Sequence, residues 1–166
     1  MIIQYADLKD LRDKNMEQKI VFCSGSYDLV HIGHAFFLKE ARSLGDLLVV
    51  SVGQDAEIKK NKGPDRPIMN ENVRLEMIDS LKPVDYSFLT KRPARGVGWL
   101  GPIQEIFDLL LPDIYVVNSD AGDLRERRMI AKQYGTKMVV LGQDYISAGE
   151  KISTTHIINK IRSLEK

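Results

Sequence analysis

Five short apolar runs alternate along the chain with segments whose apolar residues recur every three or four positions. Short continuous runs are typical of buried strands, and the three-to-four spacing is typical of amphipathic helices. The runs predict strands at 19–23, 46–52, 85–89, 113–117 and 137–141. The spaced segments predict helices at 33–44, 70–81, 102–110 and 121–134, and a last helix that starts near Ser153.

This alternation predicts an α/β fold with a five-stranded parallel sheet and helices on both faces. In such sheets, ligands bind beyond the carboxyl ends of the strands, where the strand order reverses. The chain has 166 residues, without an internal repeat, a low-complexity tract or a linker. We therefore expect a single domain over 1–166, with an N-terminal extension at 1–18 and a loop insertion at 92–102.

Composition narrows the class of protein without selecting a function. The formal net charge is +1, so no global field favours nucleic acid or an anionic membrane as a partner. The single cysteine, Cys23, excludes an internal disulfide framework and suits a reducing compartment. Residues 1–19 lack the apolar core of a signal peptide, and no run approaches the ~20 apolar residues of a membrane span. We expect a cytoplasmic protein that neither inserts into membranes nor binds nucleic acid.

The segment from Gly25 to His34, Gly-Ser-Tyr-Asp-Leu-Val-His-Ile-Gly-His, joins the first predicted strand to the first predicted helix. Gly25 and Ser26 allow the backbone to approach a ligand closely. His31 and His34 open the helix, where free amides and the helix dipole favour a phosphate. The segment therefore predicts an anion site, although a structural role is the alternative for either histidine alone. A zinc site usually needs three or four ligands, so we predict no metal ligands.

The same segment resembles the signature of the cytidylyltransferase-like nucleotidyltransferases. This family includes glycerol-3-phosphate cytidylyltransferase and the nucleotidyltransferase domain of ADP-heptose synthase. Further segments match in the same order, and the resemblance covers roughly residues 19–162. These segments are 44–55, the basic loop 59–67, the helical stretch 71–85 and the Ile-Ser-Thr-Thr of 152–155. The resemblance implies a Rossmann-like nucleotidyltransferase fold.

The resemblance also implies how the first segment meets a nucleoside triphosphate. His31 and His34 would contact the triphosphate and the transition state, and Gly33 would leave room for the nucleotide between them. Gly25, Ser26 and Tyr27 would contribute backbone and hydroxyl contacts. Asp28 could serve as a general base, but the acceptor in this family is an ionised phosphate that needs none. Asp28 is therefore expected to cap or orient the turn.

Five cations are candidate substrate ligands by the same resemblance. Lys62 is the first choice for a triphosphate contact and Lys60 the second, with a solvated loop face as the alternative. Arg74 matches the family arginine that reaches the acceptor or the phosphates, although a surface ion pair is the alternative for a helical arginine. Lys91 matches a lysine that binds the acceptor phosphate, and Arg66 is a third candidate on the acceptor side.

Three hydroxyl residues, Ser153, Thr154 and Thr155, open the last predicted helix. They can serve as an ordinary N-cap or as a phosphate cradle, and the resemblance favours the cradle. The family commonly has an arginine just before this signature, where Lys151 is a partial substitute that lacks the bidentate fork. Asn118 and Asp120 stand where relatives carry a Gly-Asp-Asp or Gly-Gly-Asp turn near the base and ribose, so the choice between CTP and ATP stays open.

The predicted loop insertion at 92–102 follows Lys91 directly and is rich in glycine and proline. Its Trp99 would either cover the domain surface or close over the acceptor. Altogether the resemblance implies transfer of CMP or AMP from an Mg²⁺-bound triphosphate to a small phosphorylated acceptor, with release of pyrophosphate. A homodimer is expected from the resemblance. A non-catalytic nucleotide-binding regulatory module is the alternative function.

Overall fold

The computed structural model describes residues 1–91, 100–142, 146–147 and 150–164, and a five-stranded sheet forms its centre. The strands are β1 (Ile20–Gly25), β2 (Leu47–Val52), β3 (Tyr86–Leu89), β4 (Ile114–Asn118) and β5 (Lys137–Leu141). All four neighbouring pairs are parallel, in the spatial order β3-β2-β1-β4-β5. The predicted five-stranded parallel sheet is confirmed, and each strand ends within two residues of its predicted run.

Helices connect the strands. They are α1 (Leu8–Lys14), α2 (Ile32–Arg42), α3 (Asp55–Lys62), α4 (Glu71–Asp79), α5 (Gly101–Leu110), α6 (Leu124–Gln133) and α7 (Thr154–Ser163). A 3₁₀ turn (Tyr5–Asp7) precedes α1, and two short strands, β6 (Ile146–Ser147) and β7 (Glu150–Lys151), pair antiparallel before α7. Gly101 and Pro102, assigned to the loop insertion from sequence, form the first turn of α5.

Helices cover both faces of the sheet, as predicted. Side chains alternate along each strand, so Ile20 and Phe22 of β1 pack on one face with α5, while Val21 and Cys23 pack on the other with α2 and α4. β2 and β4 alternate in the same way. This two-sided burial explains why the strands read as continuous apolar runs. Together with the strand order, it gives the Rossmann-like fold that the resemblance implies.

The N-terminal segment packs onto the first of these faces. Tyr5, Leu8 and Leu11 are buried in the same apolar cluster as α5. The Ile3 N–H donates to the Ser87 carbonyl at 2.9 Å, which pairs the start of the chain with β3. Three residues of the predicted N-terminal extension are therefore part of the packed core.

Helix α3 was not predicted, and its second half, 59–62, lies in the segment predicted to be a basic loop. Its sequence, Asp-Ala-Glu-Ile-Lys-Lys-Asn-Lys, buries Ile58 alone and has no apolar spacing. Lys59, Lys60 and Lys62 lie in its last turn, where cations interact favourably with the helix dipole. The loop that follows begins at Gly63.

The strand order reverses between β1 and β4. From β1 the chain proceeds outward to β2 and β3, and then returns to β4 on the other side of β1. The loops that follow β1 and β4 therefore diverge and leave a crevice at the carboxyl edge of the sheet. Within the described residues, no helix is long and apolar enough to cross a membrane.

Candidate active site

A cavity of about 390 Å³ lies at this reversal of strand order. Four parts of the chain supply its polar walls: the start of α2, the end of α3 with its following loop, the end of β4 with its following turn, and the start of α7. The lining residues are His31, Gly33, His34, Phe36, Phe37, Lys62, Arg66, Asn118, Asp120, Gly142, Ile152, Ser153, Thr154 and Thr155. Most residues predicted to bind nucleotide are thus brought together, although they are up to 124 positions apart in sequence.

The two imidazoles close the N-terminus of α2. His31 is the N-cap, and its Nδ1 accepts from the Gly33 N–H at 3.1 Å. Nδ1 of His34 accepts from the His31 N–H at 3.3 Å, and the two ring centroids are 4.0 Å apart. Because both Nδ1 atoms accept, each neutral ring carries its proton on Nε2. Each imidazole is therefore a hydrogen-bond donor toward a ligand at the cavity.

Both imidazoles are neutral at pH 7. Burial lowers the pKa of His31. Burial, followed by the charges of His31 and Lys62, lowers the pKa of His34 to about 4. A neutral donor can bind a phosphoryl oxygen without giving up a proton, so the pair suits stabilisation of charge better than acid catalysis.

Two glycines of the motif make room for its own rings. A Cβ on Gly33 would lie 2.9 Å from Cε1 of His31, and one on Gly25 would lie 2.8 Å from the Tyr27 ring. Gly33 also lines the cavity and Gly25 does not, and the close approach of a nucleotide at Gly33 stays a prediction. The side chains of His31 and Tyr27 occupy the space that the missing Cβ atoms leave.

Lys62 and Arg66 provide the cationic wall. Partial burial, followed by the charge of Arg66, lowers the pKa of Lys62, while the charges of Asp28 and Asp120 act in the opposite direction. Nε of Arg66 donates to Oδ2 of Asp28 at 2.7 Å, and Nη2 donates to the Asp28 carbonyl at 2.8 Å. One edge of the Arg66 guanidinium is thus held by the protein at the wall of the cavity.

Asp28 orients the turn, as predicted from sequence. Its buried carboxylate accepts from the backbone N–H groups of Ile68 and Met69 as well as from Arg66. Burial alone would raise the pKa of Asp28, but these hydrogen bonds and the Arg66 charge hold it below its usual range. The carboxylate therefore ties the loop before α4 to the His31 segment.

The opposite wall is the start of α7. Ser153 is the N-cap, and its Oγ accepts from the His156 N–H at 3.2 Å. Thr154 and Thr155 begin the helix and line the cavity with it. The N-cap and the cradle interpretations are therefore compatible, because the capped helix end faces the cavity.

Asn118, the last residue of β4, and Asp120, in the turn that follows, lie on the third wall. The Asn118 Oδ1 atom is buried and has no hydrogen-bond partner among the described residues. They line the same cavity as the starts of α2 and α7, and their role near the nucleoside stays a prediction.

Several predicted site residues lie elsewhere. The Tyr27 side chain is buried in the core with its hydroxyl unpartnered among the described residues, so the predicted hydroxyl contact with triphosphate is corrected. Arg74 is fully buried and presents no surface to a ligand, which corrects its predicted contact with phosphate. Ser26 and Lys60 are outside the cavity lining.

On the acceptor side, Lys91 follows β3, and its Nζ lies 4.6 Å from the centroid of the Tyr5 ring. This cation–π contact places the ammonium at the carboxyl edge but outside the cavity lining. Residues 92–99 of the predicted insertion, including Trp99, lie outside the described residues. Lys151 belongs to β7, and only its backbone is described.

Sequence reasoning did not find Phe36, Phe37, Gly142 and Ile152 in the lining. Both phenylalanines lie in the helix predicted at 33–44, and Phe37 is buried. The described residues contain no group of three or more histidine, cysteine or carboxylate side chains that could hold a metal ion.

Comparison with known proteins identifies the family. The sequence model described as cytidylyltransferase-like matches residues 22–160. The chain belongs to the cytidylyltransferase-like family. The predicted resemblance is confirmed, and so is the assignment to the nucleotidyltransferase class of enzyme at the level of this family.

Curated relatives of this cytidylyltransferase-like chain include larger proteins. It is 36% identical over 157 residues to the bifunctional protein HldE of Helicobacter hepaticus. The aligned region covers 93% of this chain and 28% of the relative. It is 33% identical over 153 residues to the bifunctional protein HldE of Syntrophotalea carbinolica, covering 90% of this chain and 28% of the relative. The chain thus spans less than a third of the length of these relatives.

Solved structures agree on the fold. The lipopolysaccharide core biosynthesis protein from Thermoplasma volcanium is 31% identical with a TM-score of 0.60, over 75% of this chain and 95% of that one. A pantoate-beta-alanine ligase from Francisella tularensis, solved with beta-gamma ATP and beta-alanine, has a TM-score of 0.70 over 100% of this chain and 79% of its own. At 18% identity, this second similarity concerns the fold alone.

Proposed function

We propose that the chain transfers a nucleotidyl group from CTP or ATP to a small phosphorylated acceptor and releases pyrophosphate. The observation that carries this proposal is the arrangement of two neutral Nε2–H donors, a cationic wall and a helix N-terminus around one cavity. Triphosphates match such a set of donors, because each phosphoryl group offers several anionic oxygens.

In the proposed reaction, an oxygen of the acceptor phosphate attacks the α-phosphorus of the triphosphate. A new P–O bond forms, the bond to the bridging oxygen breaks, and pyrophosphate leaves with the electron pair. An acceptor phosphate is already ionised near pH 7, so no general base is required. Negative charge grows on the phosphoryl oxygens, and positioned donors lower the barrier there.

The residues of the cavity divide this task by position. His31 and His34 would donate to the phosphoryl oxygens where charge develops. Lys62 and Arg66 would offset the charge of the departing pyrophosphate, and the N-terminus of α7 would hold the other end of the triphosphate. Mg²⁺ would enter as part of the Mg–NTP substrate, with phosphate oxygens as its ligands.

The test is a pyrophosphate-release screen of CTP and ATP against phosphorylated sugars, polyols and alcohols. We expect pyrophosphate release that requires both a nucleotide and one class of acceptor. Turnover should fall by at least ~10²-fold in His34→Ala. Lys14→Ala is the control variant and should keep its turnover, because Lys14 is an exposed residue of α1 outside the cavity lining. Calorimetric binding of a nucleotide without pyrophosphate release for any acceptor would instead favour the regulatory module.

We also propose a homodimer. Large apolar side chains are exposed at helical spacing on the two helices that share one face of the sheet, Ile32 and Phe36 on α2 and Val73 and Met77 on α4. These side chains would be buried in a contact between two copies. Light scattering at micromolar concentration should give the dimer mass, and a monomer would refute the proposal. The cytoplasmic location stays a prediction.

A further inference from the structure

Arg74 is a buried arginine whose side chain the proposed reaction does not use. It lies on α4 with no exposed surface, although an arginine is rarely buried unless its charge and donors are satisfied. Its donors bond to Met69 O through Nε, to Ser26 O through Nη1, and to Gly53 O and Asp55 Oδ1 through Nη2. Four of its five N–H groups are therefore committed within the protein.

The partners of Arg74 belong to three different loops at the carboxyl edge of the sheet. Ser26 follows β1, Gly53 follows β2, and Met69 precedes α4. The ion pair with Asp55, at 2.7 Å, adds the first residue of α3. A single planar fork thus connects the loops that surround the start of the histidine motif.

The Ser26–Asp28 segment is held from two directions. Arg74 bonds to the Ser26 carbonyl, and the Asp28 carboxylate accepts from the amides of Ile68 and Met69, just before α4. This segment leads directly into His31, the N-cap of α2. A shift at Ser26 would therefore move the histidine backbone, whose N–H and ring set the orientation of both imidazoles.

We propose that Arg74 is a positioning residue that fixes the loop between β1 and α2, and through it the imidazoles of His31 and His34, without contacting either substrate. The expected effect of Arg74 on catalysis rests on the proposed function. It differs from the role implied by the resemblance, in which this arginine reaches the acceptor or the phosphates.

Lysine cannot replace Arg74 in this arrangement. Its ammonium is a compact charge with three donors, whereas the four acceptors lie along the edges of a planar fork. Arg74→Lys therefore keeps the positive charge and loses part of the loop attachment. A direct phosphate contact would survive this change better than a positioning role would.

The first test observes the imidazoles without substrate. We would record the ¹⁵N NMR signals and titrations of His31 and His34 in the intact chain and in Arg74→Lys. The matched control is Arg42→Lys, at the other end of α2, where Arg42 donates to the Gly45 carbonyl and pairs with Asp85. We expect the imidazole signals to shift in Arg74→Lys and to stay in place in the control.

If Arg74→Lys does not fold, Asp55→Asn perturbs the same network more gently, because Asp55 is partly exposed. It should shift the same imidazole signals in the same direction. Unchanged signals in a folded Arg74→Lys, or in Asp55→Asn where Arg74→Lys fails to fold, would overturn the proposal. This readout needs no turnover, so it stands even if the proposed reaction is wrong.

The second test uses turnover where pyrophosphate release is observed. We expect Arg74→Lys to lower kcat about 10²-fold, as a small misplacement of reacting groups does, while KM for the nucleotide stays within about twofold. In a His31→Ala, His34→Ala background, the same change should lower kcat by no more than about twofold, because the groups it positions are gone. Effects that multiply instead, or a lower kcat accompanied by a much weaker KM, would indicate direct contact and overturn the proposal.

Discussion

Substitution of Gly33 by alanine should separate activity from stability. The added Cβ would lie 2.9 Å from Cε1 and 3.0 Å from Nδ1 of His31, about 0.5 Å inside an ordinary contact distance of 3.4 Å. The imidazole must move away by about that distance, and its 3.1 Å hydrogen bond from the Gly33 N–H is then lost. The prediction concerns the orientation of one ring at the start of α2.

The size of the effect follows from this displacement. A misplacement of about 1 Å can cost about 10²-fold in rate, so about 0.5 Å corresponds to at least about tenfold. Full loss of the donor would set the upper limit, at about 10²–10³-fold in kcat. We therefore expect kcat of Gly33→Ala to fall by about 10–10²-fold.

Stability should change little, because two effects oppose each other. Alanine is favoured over glycine in a helix by about 0.5–1 kcal/mol, and loss of the capping hydrogen bond costs about 0.5–2 kcal/mol. The net change, from about 0.5 kcal/mol of stabilisation to about 1.5 kcal/mol of destabilisation, corresponds to a Tm shift of at most about 6 °C for a chain of this size. Thermal unfolding followed by circular dichroism measures it, and pyrophosphate release measures kcat.

Gly53→Ala is the matched control, because its Cβ would meet nothing closer than 3.7 Å. It adds the same methyl group just after β2, the strand next to β1. Its turnover should stay within about twofold of that of the unsubstituted chain. A Gly33→Ala protein with unchanged kcat, or a control that loses as much, would refute the reasoning about the His31 ring.

Three further predictions address other residues. The His34 imidazole should titrate with a midpoint of about 4 by NMR, and a midpoint near 6.5 would contradict the burial argument. Because the unfolded chain binds this proton more readily than the folded chain, the free energy of unfolding should fall as pH drops from about 6.5 toward 4. Tyr27→Phe removes a buried hydroxyl that has no partner among the described residues, so the free energy of unfolding should rise by about 1 kcal/mol and nucleotide affinity should not change. Weaker nucleotide binding would instead support the contact between this hydroxyl and the triphosphate that was predicted from sequence. Lys91→Ala should weaken the acceptor about 10–10²-fold and leave the nucleotide unaffected if Lys91 grips the acceptor phosphate, whereas a change in stability alone would assign Lys91 to its contact with the Tyr5 ring.

The strands could be predicted from sequence because burial on both faces leaves a local signal, a continuous apolar run. Helix α3 left no such signal, since Ile58 is its single buried residue and the rest of it is polar. The cavity walls at α2 and α7 were also predictable, because hydroxyl and imidazole side chains at a helix start mark an anion site locally. Lys62 was found for its position after the second strand, although the structure places it on a helix.

The environment of Arg74 could not be predicted in the same way, because its partners are carbonyl groups of three loops that only the folded sheet brings together. A sequence pattern shows which side chain is charged, and it does not show which backbone groups will surround it. The same limit applies to Tyr27, whose φ of 49° turns the ring over Gly25 and into the core. Both side chains support the segment before His31 from inside.

The histidine motif therefore carries two kinds of information. His31 and His34 supply donors to the cavity, while Gly25, Tyr27, Asp28 and Gly33 arrange the loop and the rings that present those donors. Residues of the second kind are as constrained in type as the first, because only glycine leaves room for each ring and only a carboxylate accepts from two amides and a guanidinium together. Assigning every member of such a motif to ligand contact overstates the number of contacts, because Tyr27 and Asp28 are buried whereas the two histidines line the cavity.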